Sequence, residues 1–446
     1  MQYEETLSYL YNKLPLFSRI GDAAIKKDLS NTRKLCEALD NPQRNFHSIH
    51  IAGTNGKGST SNMLAAILQQ AGYKTGLYTS PHLLDFRERI RINGTMISQQ
   101  EVSSFVEEQK DFIETLHPSF FEVTVAMAFH HFSEHKVDIA IIETGLGGRL
   151  DSTNVIDPIL SIITNISLDH THMLGNTLSL IASEKAGIIK PDVPVIIGEK
   201  EPDTMEVFLH TAAKTGSKIV FAQDEWRVKI LEKGEEYLSL LAQYISPENQ
   251  PDPAISSTRT LRSEMIIDLD LPGTYQEKNL IPVLSAVEQL NNQNYQITEA
   301  HLMYALAHVK ELTGLMGRWQ TLRREPRVVC DTGHNEAGWK EVLSNLQEAK
   351  FKRLHMVIGI MKDKDAAALL SILPKNADYY FCCAGFERAL PAQELSRLGT
   401  KANLQGRAYD SVVQAVESAL ENADKEDLIF IGGSTFIVAE ALTLFV

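Results

Sequence analysis

The sequence predicts an α/β protein of two lobes, each a mostly parallel sheet with helices on both faces. Three observations carry this expectation. Apolar, strand-like runs alternate with amphipathic helical stretches through most of the 446 residues, the pattern left by strand–helix–strand crossovers. A second alternating series begins after a connector, 313–319, that holds Gly314 and Gly317 and reads as a hinge. The length itself suits two or three domains with ample core.

In the first lobe the strand-like runs are 47–52, 75–79, 137–143, 159–165 and 193–198. Helical patterns lie at 59–71, 99–116, 120–135 and 178–188. From 221 to 271 the pattern changes to short alternating strands and a turn-rich stretch, Ser246-Pro-Glu-Asn-Gln-Pro-Asp-Pro253, which reads as an exposed loop with little function. Two helical patterns follow, 276–292 and 298–312. Strands at 327–331, 354–360, 379–384 and 428–432 then build the second lobe, and no internal repeat is evident.

Hydrophobic residues make up 43% of the chain and charged residues 22%, as in an ordinary globular protein. A formal charge of −14 argues against a nucleic-acid surface. It leaves room for a local cationic pocket, because charges farther apart than roughly 8 Å are largely screened at physiological salt. Met1–Glu5 lacks the basic segment and apolar core of a secretory signal, and no run approaches a membrane span. Cys36, Cys330, Cys382 and Cys383 have neither zinc nor redox spacing, and the last three fall in predicted strands as buried, reduced fillers. A cytoplasmic enzyme with no nucleic-acid or membrane partner is expected.

The most informative stretch is Ile49-His-Ile-Ala-Gly53-Thr54-Asn55-Gly56-Lys57-Gly58-Ser59-Thr60. A β-branched run enters a glycine-rich turn with one lysine and then a hydroxyl pair opening a helix. Glycines let backbone amides curl round anionic oxygens, the helix N-terminus adds partial positive charge, and Lys57 adds a full one. This is a P-loop-type site for nucleotide phosphate. Its register differs from G-K-[ST], since Gly58 separates Lys57 from Ser59. That spacing, and the lack of an evident N-K-x-D motif, oppose a P-loop kinase or a switch GTPase. It matches the ATP-dependent carboxylate–amine ligases.

Further polar residues stand at strand ends, where ligands sit in open parallel sheets. Ser59 is either a metal-binding loop hydroxyl or only a helix N-terminal hydroxyl. Ser80, in Thr79-Ser80-Pro81-His82-Leu83, lies in a strand-to-loop turn. Glu143 ends an apolar run before Thr144-Gly-Leu-Gly-Gly148-Arg-Leu150-Asp151, as a metal-holding acid or a solvated strand end. His170 reads equally as a structural, an acid–base or a ligand residue. Lys185, in a helix ending at Gly187, has the ordinary reading of a solvated cation or a dipole partner. In the second lobe Asp331-Thr-Gly-His334-Asn335 could contact ribose, phosphate or a substrate amine, with His334 otherwise a capping neighbour. Arg318 in the connector could reach phosphate from outside the first lobe, or be a surface arginine.

Together these motifs resemble the folylpolyglutamate synthase/dihydrofolate synthase family, relatives of the muramyl amino-acid ligases. The resemblance rests on GTNGKGS (53–59), SPHL with RERIRING (80–94), FFEVTVAMAF (120–129), ETGLGGRLDSTN (143–154), SLDHTHMLGNT (167–177), EKAGIIK (184–190), DTGHN (331–335), GIMKDKD (359–365), RALP (388–391) and GGSTF (432–436). The order is the family's own, and the matches span most of the chain.

The resemblance implies an ATP-binding, Mur-ligase-like lobe over 1–312, a linker over 313–325 and a C-terminal Rossmann-like glutamate-ligase lobe over 326–446. It implies that Thr54, Asn55, Gly56, Lys57, Gly58, Ser59, Thr60, Asn279, Arg318 and Asp331 hold ATP. Ser59, Ser80, Glu143 and His170 would hold magnesium, and Lys57, Lys185 and His334 would be catalytic, with Lys185 carbamylated. The implied substrates are L-glutamate and a folate or dihydropteroate acid, near His82, Leu150, Asp151, Ser152 and Ser434, and the implied state is a monomer. The chain departs from the family at Met316-Gly317-Arg318 (commonly P-G-R), at Asp331-Thr-Gly (commonly D-G-A) and at Tyr275, where a His is common. A muramyl-type ligase for a UDP-linked peptide is opposed by the SPHL–RERIRING loop, and a non-catalytic nucleotide scaffold by the filled polar positions.

Overall fold

The first sheet has eight strands: β1 (His47–Ala52), β2 (Thr75–Tyr78), β3 (Ile90–Ile92), β4 (Thr95–Met96), β5 (Ile139–Glu143), β6 (Leu160–Ile163), β7 (Val195–Ile197) and β8 (Ile219–Phe221). Their order is β4-β3-β2-β5-β1-β6-β7-β8, and every pairing is parallel except those of β3. In the computed structural model, described here for residues 1–16, 19, 21–24, 28–245 and 260–445, β1 lies between β5 and β6, with Ile51 opposite Glu143 and Ala52 opposite Ile163. The carboxyl ends of the three central strands therefore open on the same edge.

Both faces of this sheet are covered, which explains its continuous apolar runs. Along β5, Ile139 and Ile141 enter one core while Ala140 and Ile142 enter the other. Helix Lys57–Gln70 is buried from Gly58 to Leu68 and packs against helices Gln276–Asn291 and Glu299–Ala307. The opposite face is closed by helices Gln99–Leu116 and Phe120–Glu134. Each starts with a capping box, Ser98 with Glu101 and Ser119 with Glu122. The helix expected over 298–312 breaks in two at His308, whose Nδ1 lies 2.7 Å from the Tyr304 carbonyl. That contact takes an acceptor the continuing helix would use.

Strands β9 (Trp226–Lys233), β10 (Leu238–Tyr244) and β11 (Glu264–Leu269) form an antiparallel sheet, as the alternation over 221–271 implies. Trp226, Leu240 and Ile267 of its inner face join the core beneath helix Lys57–Gln70. The expected exposed loop at 246–253 lies outside the described residues.

The second sheet is β12 (Gln320–Arg324), β13 (Arg327–Asp331), β14 (Leu354–Ile358), β15 (Asp378–Phe381), β16 (Gln405–Ala408) and β17 (Leu428–Gly432), in the order β12-β13-β17-β14-β15-β16. It is parallel except for β12. The linker expected over 313–325 is therefore too long, because 320–324 already belong to this sheet as an antiparallel edge. β15 is shorter than expected, which leaves Cys382 buried and Cys383 half-buried beyond it; all four cysteines are free. Phe430 is fully buried between Trp319 and Trp339, with ring centroids 6.0 and 5.8 Å away. Phe430→Ala is expected to destabilise the fold by about 3–5 kcal/mol, read as a lower midpoint in denaturant unfolding.

Candidate active site

The loop after β1 is shaped by two backbone positions that a side chain could not share. Gly53 has φ +155° and a Cβ there would lie 1.8 Å from Thr164 Oγ1; Gly56 has φ +83° and a Cβ would lie 2.3 Å from Asn279 Oδ1. Residues at the end of β6 hold the turn from below. Thr164 Oγ1 donates to the Asn55 carbonyl at 2.6 Å, the Asn55 amide donates to Asn165 Oδ1 at 2.9 Å, and the Ser167 amide donates to Thr54 Oγ1 at 3.0 Å. From above, Gln276 donates to Ser59 Oγ at 3.1 Å and Asn279 donates to Gln276 at 2.8 Å.

Two lysines converge on this loop. Lys57 Nζ donates to the carbonyls of Gly53 and Thr54, both at 3.1 Å, and Lys185 Nζ donates to the Gly53 carbonyl at 2.8 Å. Lys185 is only 4% exposed, so its ordinary reading as a solvated helix-end cation is overturned. Burial and then the Lys57 charge pull its amine down to about 7, against Asp169 and Asp151. Arg318 arrives from the connector: its Nη2 lies 3.0 Å from where a Cβ on Gly58 would stand, and its Nη1 donates to the Gly317 carbonyl at 3.1 Å and to Thr332. A chain with a net charge of −14 thus gathers three basic side chains at one helix N-terminus.

Glu143 faces them. Burial pushes its carboxyl up to about 7 despite Lys57, Arg318 and a hydrogen bond from the Ser80 amide. Ser59 and Ser80 line the same cleft. These hard oxygen donors, around a carboxylate that its neighbours do not fully compensate, fit magnesium. Asp169, His170 and His334 form a second donor set, their ligand atoms within 4.8 Å of one another. Burial would raise the Asp169 carboxyl, but the His334 hydrogen bond and the charges of His334, His170 and Lys364 hold it well below the usual range. Burial lowers the His170 imidazole to about 4, which keeps it neutral and able to ligate. Glu143→Gln is expected to raise the magnesium concentration for half-maximal activity by roughly tenfold or more, measured by titrating magnesium at fixed ATP.

The lobes meet across this second set. Asn335 Nδ2 donates to Asn55 Oδ1 at 2.9 Å and to Asp169 Oδ2 at 3.0 Å, while Lys364 pairs with Asp169. The cleft between them has a volume of about 1340 Å³ and is lined from both sides by residues including Lys57, Glu143, Lys185, Asn279, Arg318, His334 and Ser434.

His82, Leu150, Asp151 and Ser152 line its other end with Tyr11, Arg89 and Phe120. His82 accepts from Arg89 Nε at 2.7 Å; burial, then the Arg89 charge, lowers its imidazole to about 3. Asp151 is occupied by the turn itself, accepting from the amides of Leu146 and Thr153 at 2.8 and 3.0 Å. Asp331 accepts from the amides of Trp319 and Gly333 and from Tyr275 Oη at 2.5 Å. Tyr275, one of the departures from the family pattern, is thus a partner of Asp331. Ser434 caps its helix through the Phe436 amide at 3.1 Å.

Thr60 is fully buried and, unlike the equally buried Ser59, does not line the cleft. Thr164, Asn165 and Lys364 are not among the expected site residues; Asn335 is, as a contact for ribose, phosphate or a substrate amine, and here it bonds Asn55 and Asp169. Asn335 and Lys364 stand in DTGHN and GIMKDKD, but only the packing of one lobe on the other gives them these partners.

Residues 51–287 match the Mur ligase middle domain and 317–435 the Mur ligase glutamate ligase domain. The dihydrofolate synthase/folylpolyglutamate synthase of Bacillus subtilis is 31% identical over 460 residues, covering 98% of each chain. The chain belongs to the folylpolyglutamate synthase/dihydrofolate synthase family. It is an ATP-dependent acid–amino-acid ligase. Among solved structures, Escherichia coli FolC in complex with DHPP and ADP is similar with a TM-score of 0.83 at 28% identity, over 100% of this chain and 97% of that one. A bifunctional folylpolyglutamate synthase/dihydrofolate synthase with Mn, AMPPNP and L-glutamate bound gives 0.80 at 27% identity, over 100% and 98%. Among the described residues, no helix of the ligase is long and apolar enough to cross a membrane.

Proposed function

We propose that this ligase joins L-glutamate to the carboxylate of a dihydropteroate or folate acid through an acyl phosphate, in the cleft between its lobes. The observation that carries the reading is the convergence of Lys57, Arg318 and Glu143 on a glycine-rich helix N-terminus within a cavity that the second lobe closes. The cavity, of about 1340 Å³, is lined both by the glycine-rich loop and by the expected acceptor residues His82, Leu150, Asp151 and Ser152.

The acceptor carboxylate attacks the γ-phosphorus of ATP, the bond to the β-phosphate oxygen breaks, and ADP leaves. The glutamate α-amine then attacks the acyl carbon, loses a proton, and expels phosphate. Phosphoryl transfer calls for positioning and charge neutralisation more than for a protein nucleophile. The loop amides and Lys57 would hold the triphosphate, Arg318 would meet the charge developing on the transferred group, and Asn279 and Asp331 would border the nucleotide. Ser59, Ser80, Glu143 and His170 would hold magnesium, which when bound neutralises phosphate charge. His334, 38% exposed and 3.5 Å from Asp169, would meet the incoming amine, with Ser434 also lining the cleft. Closure of the second lobe would keep water from the acyl phosphate.

Lys185 is proposed to be carbamylated. A neutral amine adds to CO₂ with loss of a proton, and the product carries a negative charge where the protonated amine carried a positive one. An amine held near 7 supplies that neutral form at physiological pH. A first lobe over 1–312 and a second that begins with β12 at Gln320, a cytoplasmic monomer, and small-molecule partners without nucleic acid or membrane complete the reading.

The test is incubation with ATP, labelled glutamate and either dihydropteroate or tetrahydrofolate, followed by separation of products. ADP should be the nucleotide product, and sustained phosphate release should require both acid and glutamate. Release of AMP and pyrophosphate would overturn the scheme.

A further inference from the structure

Away from the cleft, helices Gln99–Leu116 and Phe120–Glu134 bring three metal-ligating side chains together. His131 and His135 are four residues apart, so they share a face, and their ring centroids lie 4.4 Å apart. Both imidazoles converge on one oxygen of Glu101, on the neighbouring helix: His135 Nε2 at 2.6 Å and His131 Nδ1 at 3.3 Å from Oε1. All three ligand atoms fall within 4.8 Å of one another. We propose that Glu101, His131 and His135 form a binding site for a divalent transition-metal ion of the zinc class, distinct from the catalytic metal donors.

The donor set selects the ion. Two imidazoles and one carboxylate suit zinc, whereas magnesium prefers oxygen ligands alone. Zinc ligands about 2.0–2.1 Å from a tetrahedral ion stand roughly 3.4 Å from one another. The His131–Glu101 pair already has that spacing. The His135–Glu101 pair would have to open by roughly 0.7 Å to match, and His135, 43% exposed at the end of its helix, has room to swing.

The surroundings orient the ligands. The second Glu101 oxygen accepts from the Ser98 amide at 3.0 Å and from Ser98 Oγ at 2.6 Å, which aims Oε1 at the histidines. His131 is 7% exposed, so packing sets its rotamer. The Lys74 ammonium, bonded to the His135 carbonyl at 2.5 Å, opposes a cation here, so micromolar rather than nanomolar affinity is expected. Three protein ligands leave a fourth position to solvent.

The site would have a mechanical consequence. Helix Phe120–Glu134 carries Phe120, Phe121 and Glu122 of the cleft wall at its other end. A metal clip between the two helices would stiffen that wall from behind.

The experiment titrates the full-length protein with zinc alone or cobalt(II) alone, against a chromophoric chelator. Excess magnesium and a non-hydrolysable ATP analogue keep the cleft filled. One equivalent of zinc should bind, with tetrahedral cobalt absorption bands and a higher thermal midpoint. His135→Gln, at an exposed position, should keep its fold and its zinc-free ligase activity while binding zinc at least roughly tenfold more weakly. His131→Asn should lose the cobalt bands, and His334→Gln should retain the bound zinc. Equal zinc affinity in His135→Gln and the parent, or zinc lost only in His334→Gln, would overturn the proposal.

Discussion

Replacement of Lys57 by alanine is expected to lower kcat by roughly a thousandfold while leaving the fold intact. The size follows from the proposed role: a full cation at the transferring phosphate would stabilise charge that develops in the transition state, and single groups of this kind are worth about 10²–10³ or more. The fold should survive because, among the described residues, the Lys57 side chain bonds only the carbonyls of Gly53 and Thr54, and Lys185 also reaches the Gly53 carbonyl. A structural role would instead move the unfolding midpoint. Steady-state kinetics at saturating ATP, beside a thermal melt, separates the two. Arg318→Ala should share the kinetic loss, because its guanidinium stands beside Gly58 at the same helix N-terminus.

Lys185→Met should cost about 10²-fold or more in activity and should abolish any response to bicarbonate. The parent enzyme, stripped of CO₂, should lose activity and regain it when bicarbonate returns. The pH dependence has a definite sign. The folded-state amine lies near 7, below its ordinary value, so it is neutral and open to CO₂ above about 7 and protonated below. Activity should therefore fall as the pH drops through 7. Glu143 titrates in the same range and acts in the same direction, since its protonation would remove a metal ligand. The two are separable: added magnesium should offset the Glu143 contribution, and added bicarbonate the Lys185 contribution. A parent enzyme indifferent to bicarbonate across this range would remove the carbamate from the scheme.

Much of the fold was legible because its signals are local. The runs at 47–52 and 137–143 match β1 and β5 within two residues, since strands buried on both faces must be apolar at nearly every position. The elements missed have weaker local signals. β3 and β4 are short edge strands, the N-terminal helices Tyr3–Lys13 and Ser30–Ala38 lie outside the expected elements, and β12 falls within the expected linker. The break at His308 depends on a side chain competing for one carbonyl, which periodicity does not register. In the site, Lys57 and Glu143 could be placed by position alone, one in a glycine-rich turn and the other at a strand end. The loop motif does not mark that the cleft wall includes Ser59 and not Thr60.

What the sequence determined by itself is the phosphate loop and its unusual lysine register, the strand ends on which acids and hydroxyls stand, and the existence of two α/β lobes. Each of these is written within a few consecutive residues. The tertiary structure alone decided that Lys185 is buried against the Gly53 carbonyl, that Asn335 bridges Asn55 and Asp169, and that Tyr275 holds Asp331. These pairs join residues far apart in the chain. Their protonation states depend on how much water and which charges surround them, and only the packed fold sets that.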